Sequence, residues 1–159
     1  MDRLAYHPVE DYKTITKQSI GVNIGSQSLR AIGLANPGDS VTIKTYSGLL
    51  AVYPFNPNIH NESDTTCRVL RRGVMRIILP ESVRDVFLPE QNPHQLVGVL
   101  NLDTHLVVAP PGVMAERLLG APHKIETADH LLALQTLGKT LSLETLAGFF
   151  PETIPSERI

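Results

Sequence analysis

Arg68, Arg71, Arg72 and Arg76 place four guanidinium groups within nine residues, the densest run of cationic side chains in the 159-residue chain. A guanidinium offers a planar fork of donors that matches phosphate oxygens and the acceptor edge of guanine, so this cluster points to binding a polyanion rather than to bond-making chemistry. The surroundings agree with that reading. Residues 13–84 hold nine basic side chains against four acidic ones, a local balance of +5, whereas the whole chain carries −2 and the remainder therefore sums to −7. Lys13 and Lys17 extend the basic supply towards the N-terminus. Read as one strand, residues 68–76 would put Arg72 and Arg76 on one side and Arg71 on the other, with Gly73 allowing a bulge. The competing explanation is an exposed edge strand whose charges discourage strand-to-strand aggregation.

Catalytic patterns are missing. The six histidines (His7, His60, His94, His105, His123 and His130) are scattered, with no pair four residues apart as a metal-binding helix would need, and they read mostly as surface or loop residues. There is no Gly-x-Ser-x-Gly elbow, phosphate loop or Gly-x-Gly-x-x-Gly turn. The expectation is a non-enzymatic protein with no catalytic residue, metal or cofactor. The single cysteine, Cys67, excludes an internal disulfide and reads as a reduced small hydrophobe. No apolar run approaches the roughly 18 residues of a membrane helix, and residues 1–10 lack the basic start and apolar stretch of a secretory signal. A cytoplasmic protein without a membrane partner is expected.

The elements that must position the arginines are read from an internal repeat. Residues 21–34 align with residues 75–88 at a constant offset of 54, which matches Ser28-Leu29-Arg30 with Ser82-Val83-Arg84, Ile24 with Ile78, Ile32 with Val86 and Leu34 with Leu88. Arg30 and Arg84 are expected to serve the structure, holding a short helix against its neighbour. A polar turn follows each copy, and then two short strand-like runs: residues 40–45 with 49–53, and residues 95–100 with 106–109. Ser47-Gly48 and residues 101–104 supply the hairpin turns. Each copy thus reads as strand, one-turn helix, strand, turn, strand. About 40 residues with three strands bury too little apolar surface alone, so the copies should pair into one pseudo-two-fold β-barrel.

This pattern resembles the AbrB, MazE and MraZ group of swapped-hairpin DNA-binding proteins. The resemblance is carried by Ser28-Leu29-Arg30, Leu34, Pro37-Gly38-Asp39-Ser40-Val41 and Leu50 to Pro54 in the first copy, and by Leu79 to Arg84 and Leu106 to Pro110 in the second. It departs where Ser26 stands for the helix-opening proline and where the second copy lacks the Gly-Asp pair. It implies a mainly β fold with short helices (α+β), a barrel built from two swapped-hairpin units joined in one polypeptide as in MraZ, and double-stranded DNA held against basic loops and strands. The implied division is residues 1–54 as the first half, 55–66 as linker, 67–111 as the second half and 112–159 as a helical C-terminal tail. The DNA-binding residues would be Lys13, Lys17, Arg68, Arg71, Arg72 and Arg76, in a transcriptional regulator or antitoxin-like protein.

The C-terminal region carries three helix signals: residues 113–119 stopped by Gly120, residues 127–137 capped by Thr127 and ended by Gly138, and residues 142–150 capped by Ser142 before Pro151. The last two do not make a DNA-reading helix-turn-helix, because the second has no basic residue. It carries Leu143, Leu146, Phe149 and Phe150, which suit dimerisation or a protein partner. A protein-binding or assembly module using the same barrel is therefore the alternative expectation.

Overall fold

A computed structural model describes residues 3–13, 18–34, 39–46, 48–54, 65–68, 75–78, 96–121, 125 and 127–154, with the backbone alone for 9–13, 18–21, 65–68 and 76–78. Eight strands form: β1 (Leu4–Lys13), β2 (Gln18–Ile24), β3 (Ser40–Tyr46), β4 (Leu49–Pro54), β5 (Thr65–Arg68), β6 (Met75–Ile78), β7 (Leu96–Asn101) and β8 (Leu106–Ala109). Helix α1 (Ser26–Ala31) lies between β2 and β3, and α2 (Pro111–Leu119), α3 (Ala128–Thr140), α4 (Leu143–Gly148) and a 3₁₀ turn (Pro151–Thr153) follow β8. The fold is mixed α+β, and its sheet is antiparallel throughout, in the order β5-β3-β4-β8-β7-β1-β2-β6.

That order threads the two halves through each other. β3 of the first half pairs with β5 of the second, and β7 of the second pairs with β1 of the first. Exchanging β1–β4 for β5–β8 carries the neighbours β5-β3-β4 onto β1-β7-β8, and the contacts β4–β8 and β2–β6 join each strand to its own counterpart, whereas the β1–β2 ladder has no β5–β6 ladder to match it among the described residues. The hairpins differ in their turns, since Tyr46 pairs with Leu49 across two residues whereas Asn101 pairs with Leu106 across four. In the longer turn Asp103 takes φ 65°, a left-handed conformation that its N–H donating to Asn101 Oδ1 (2.8 Å) and its ion pair with Arg3 (3.0 Å) hold in place.

β1 is a corner strand. Leu4 to Pro8 pair with β7, and Val9 to Lys13 pair with β2. Pro8, which has no N–H to give, sits where the strand leaves one neighbour for the other. Its ten residues lack the clean alternation of β3, and the repeat did not include them. At the two ends of the order, β5 and β6 approach within 8 Å between Cα atoms, and no ladder joins them among the described residues.

The core has two compartments, one on each face of the central strands. Val41, Ile43, Leu50, Val52, Val97, Val99, Leu106 and Val108 meet Val22, Ile24, Met75, Leu29 of α1 and Ile32 just after it on one side. On the other, Leu49, Leu100, Val107 and Ala109 meet Met114, Ala115 and Leu118 of α2, Leu134 of α3, Leu146 of α4 and Phe150. Side chains alternate across a strand, so the uninterrupted burial of β8 follows from cover on both faces. Residues 111–154 are thus a second layer, not an appended tail. α2 begins at Pro111, where a missing N–H costs nothing, and ends at the left-handed Gly120 (φ 76°).

Several expectations are corrected here. Leu146 and Phe150 are fully buried, and Leu143 and Phe149 pack partly buried against the same cluster, so this apolar set fills the core rather than offering a partner surface. Helix α3 does not stop at Gly138 but runs through it to Thr140. A Cβ there would lie 3.2 Å from Leu4 Cβ, so the glycine lets the helix approach β1. The linker ends earlier than residue 66, because Thr65 and Thr66 already pair with Ile43 and Thr42. Arg68 and Arg76 belong to two strands, β5 and β6, not one. The second copy's short helix, expected after Pro80, lies outside the described residues. Among those described, no helix is long and apolar enough to cross a membrane.

Removing the Phe150 ring or the Leu146 isobutyl group from this interior leaves a cavity, so Phe150→Ala should cost about 3–5 kcal/mol and Leu146→Ala about 2–5 kcal/mol of unfolding free energy, read by urea titration. Exposed partner-binding side chains would instead give changes within about 0.5 kcal/mol.

Candidate functional site

The basic residues are placed by backbone register. Lys13 ends β1 opposite Gln18 at the start of β2, and Arg76 stands in β6 opposite Asn23 of the same β2. Five positions of β2 separate those two partners, about 17 Å along a strand at ~3.4 Å per residue. Arg68 ends β5 opposite Ser40. The approach of β5 to β6 therefore brings the strands of Arg68 and Arg76 together at the ends of the sheet order, while Lys13 lies across β2. Lys17, Arg71 and Arg72 lie outside the described residues, as does Arg84. Arg30 is exposed in the last turn of α1, where its charge suits the negative end of the helix dipole.

Two other described cations, Arg3 and Arg117, already have work. Arg3 bonds the Asn101 carbonyl (3.4 Å) and pairs with Asp103. Arg117 donates to the Phe149 carbonyl (3.1 Å), pairs with Glu152 (2.8 Å) and lies over the Phe150 ring at 5.6 Å. Both anchor the helical layer or the β7–β8 turn rather than a ligand.

A buried polar cluster sits where this layer closes, and sequence reading missed it. His105, in the β7–β8 turn, is 1% exposed and stacks on the Tyr53 ring of β4, with centroids 5.1 Å apart and planes at 19°. The Thr153 hydroxyl donates to the Phe150 carbonyl (2.8 Å), so it must accept from His105 Nε2 (2.9 Å). His105 is then the neutral Nε2–H tautomer, and its Nδ1 accepts from Thr104 Oγ1 (2.8 Å). Tyr53 donates to the Thr153 carbonyl (2.5 Å), which leaves its oxygen to accept from Tyr46 (3.1 Å). Burial pushes the His105 pKa down to about 4, in keeping with a ring that stays neutral.

Two further groups on β1 feel the same burial. Tyr6 donates to the Leu131 carbonyl of α3 (2.6 Å), and its phenol is pushed up to about 12. His7 has its pKa lowered, and its buried Nε2 has no hydrogen-bond partner among the described residues. His105 thus lies in a turn but is buried, and His7 lies in a strand with its Nε2 buried. No local motif marks His105: its partner Thr153 is 48 residues away, and Tyr53 bonds across 100. Among the described residues, no group of three His, Cys, Asp or Glu is placed to hold a metal.

Thr153→Val preserves shape but strands the His105 N–H in a buried site, while the Phe150 carbonyl keeps the Thr153 backbone N–H (3.0 Å), so unfolding free energy should fall by about 1–3 kcal/mol, whereas Thr153→Ser, which keeps the hydroxyl, should lose less. Equal losses in chemical denaturation would show that the methyl group, not the hydrogen bond, matters.

No protein-family model, curated protein or solved structure matches this chain.

Proposed function

We propose that the chain is a double-stranded-DNA-binding regulator or antitoxin-like protein, non-enzymatic and without a cofactor, built as a pseudo-two-fold barrel of two swapped hairpin units that closes between β5 and β6. The observation that carries the reading is the strand order, in which every ladder except β1–β2 maps onto itself or another ladder when the two halves are exchanged. Under that exchange the β1–β2 ladder corresponds to the approach of β5 to β6, so the pairing that would close the barrel is the counterpart of one already made. The topology supports the resemblance to the AbrB, MazE and MraZ group at the level of architecture.

Function rests on the charge placement. Arg68 and Arg76 flank the six-residue connection that holds Arg71 and Arg72, and Lys13 precedes the connection that holds Lys17. The basic residues thus belong to two counterpart β–β connections, each joining a strand pair next to β2 or β6. Phosphate contacts from such a surface supply affinity through counterion release, and one or two arginines reaching guanine edges would supply sequence preference. The assembly reading, in which C-terminal helices bind a partner, loses its carriers because Leu146 and Phe150 are buried.

Binding to a mixed pool of duplex DNA across a salt series tests this. The native chain should bind with affinity that falls steeply with salt. Arg71→Ala/Arg72→Ala/Arg76→Ala together should weaken binding and flatten the log–log salt slope by about 3, near 0.9 for each phosphate no longer neutralised. Absence of binding at low salt, with the variant folded like the native chain, would overturn the reading.

A further inference from the structure

We propose that the segment from α4 to the 3₁₀ turn is an acid-released latch, held shut on the sheet by the neutral His105 ring and freed when that ring takes up a proton. This inference does not depend on DNA binding.

The geometry isolates the latch chemically. Thr153 is the point at which the turn meets the sheet, and both of its polar groups are used there: the hydroxyl accepts from His105 and the carbonyl accepts from Tyr53. The other polar tie is Arg117 of α2, on Glu152 and the Phe149 carbonyl. Among the described residues, the ring of His105 is faced by hydroxyls and a phenol: Thr104 from its own turn, Thr153 from the 3₁₀ turn and Tyr53 from β4, with Tyr46 of β3 behind it. The neighbouring charges are already paired, Arg3 with Asp103 and Arg117 with Glu152. No carboxylate among the described residues therefore sits against the imidazole to compensate a positive charge. A proton on Nδ1 also turns an acceptor into a donor aimed at the Thr104 hydroxyl, whose other acceptor, the Leu102 carbonyl, is a long 3.5 Å away. Protonation thus turns the Thr104 hydroxyl to the longer Leu102 contact and buries an unpaired charge, both of which release of the segment relieves.

The sign follows from linkage. The ring takes its proton near 6.5 once it reaches water and near 4 while docked. The docked form is fully favoured above pH 6.5, and each unit of acidification below that favours release by about tenfold until pH reaches about 4. Release would uncover the apolar outer face of the sheet, including Leu49 and Val107, which Leu146 and Phe150 now help to cover.

Hydrogen–deuterium exchange of the full chain, corrected for intrinsic rates, tests the latch at two pH values. Between pH 6.5 and 4.5, amides of residues 143–154 should lose protection by about fortyfold while those of β7 and β8 keep theirs. His105→Phe is the control. It retains the stack on Tyr53, cannot titrate, and strands no donor, because Thr153 still donates to Phe150 and Thr104 can turn to Leu102; its C-terminal protection should not change with pH. NMR titration of His105 in the native chain reads the same step without a substitution, with a midpoint well below 6.5 expected. Loss of protection in β7 and β8 together with residues 143–154, an acid response that survives His105→Phe, or a His105 midpoint near 6.5 would each overturn the proposal.

Discussion

Strands β4 and β8 lie side by side in the middle of the sheet order and have no face left for water. Leu106 and Val108 point into one apolar compartment, Val107 and Ala109 into the other, and Leu49 and Leu50 divide in the same way. An antiparallel sheet commonly leaves one face in solvent, and its strands then alternate between apolar and polar residues. These strands do not, so a second layer must cover the outer face. The helices after Pro110 meet that demand, which is why Leu146 of α4 and Phe150 after it are internal.

Covering a sheet closely brings two problems, and particular residues answer each. Backbone must come near backbone: Gly98 and Gly138 leave room around Leu4, where added Cβ atoms would lie 3.1 Å from Leu4 Cδ1 and 3.2 Å from Leu4 Cβ. Polar groups trapped at the seam must also find partners, since an unmatched buried donor costs more than a matched one returns. Tyr6, Gln135, Tyr53, Thr153 and His105 make those matches, each linking the sheet to the helical layer. The seam is therefore hydrogen-bonded as well as apolar, and a group that changes protonation within it alters the fit of the whole layer.

Strands and helices with a regular period were legible from the residues. β3, β4, β7 and β8 coincide with the expected runs to within a residue or so, and the caps Thr127 and Ser142 accept the hydrogen bonds their types imply. Less legible was anything set by a distant neighbour. β1 carries no clear alternation because its two halves serve different partners. Gly138 reads as a stop signal in isolation, yet Leu4, far away in the chain, makes it a point of close approach inside a helix. Leu143, Leu146, Phe149 and Phe150 look the same in sequence whether they meet a partner or their own sheet.

The candidate site divides along the same line. Clustering of charge between residues 13 and 84 is a property of composition, so the sequence by itself located the basic supply and excluded a disulfide framework. Local periodicity likewise determined the type of most elements, because the 2-residue and 3.6-residue repeats are written in neighbouring side chains. Only the tertiary structure decided that Arg68 and Arg76 stand in separate strands, that the two halves exchange strands, and that His105 meets Thr153 beneath the C-terminal turn. Those outcomes depend on pairings across 22 to 96 residues, which arise from burying both faces of one sheet, a demand that no local stretch of sequence records.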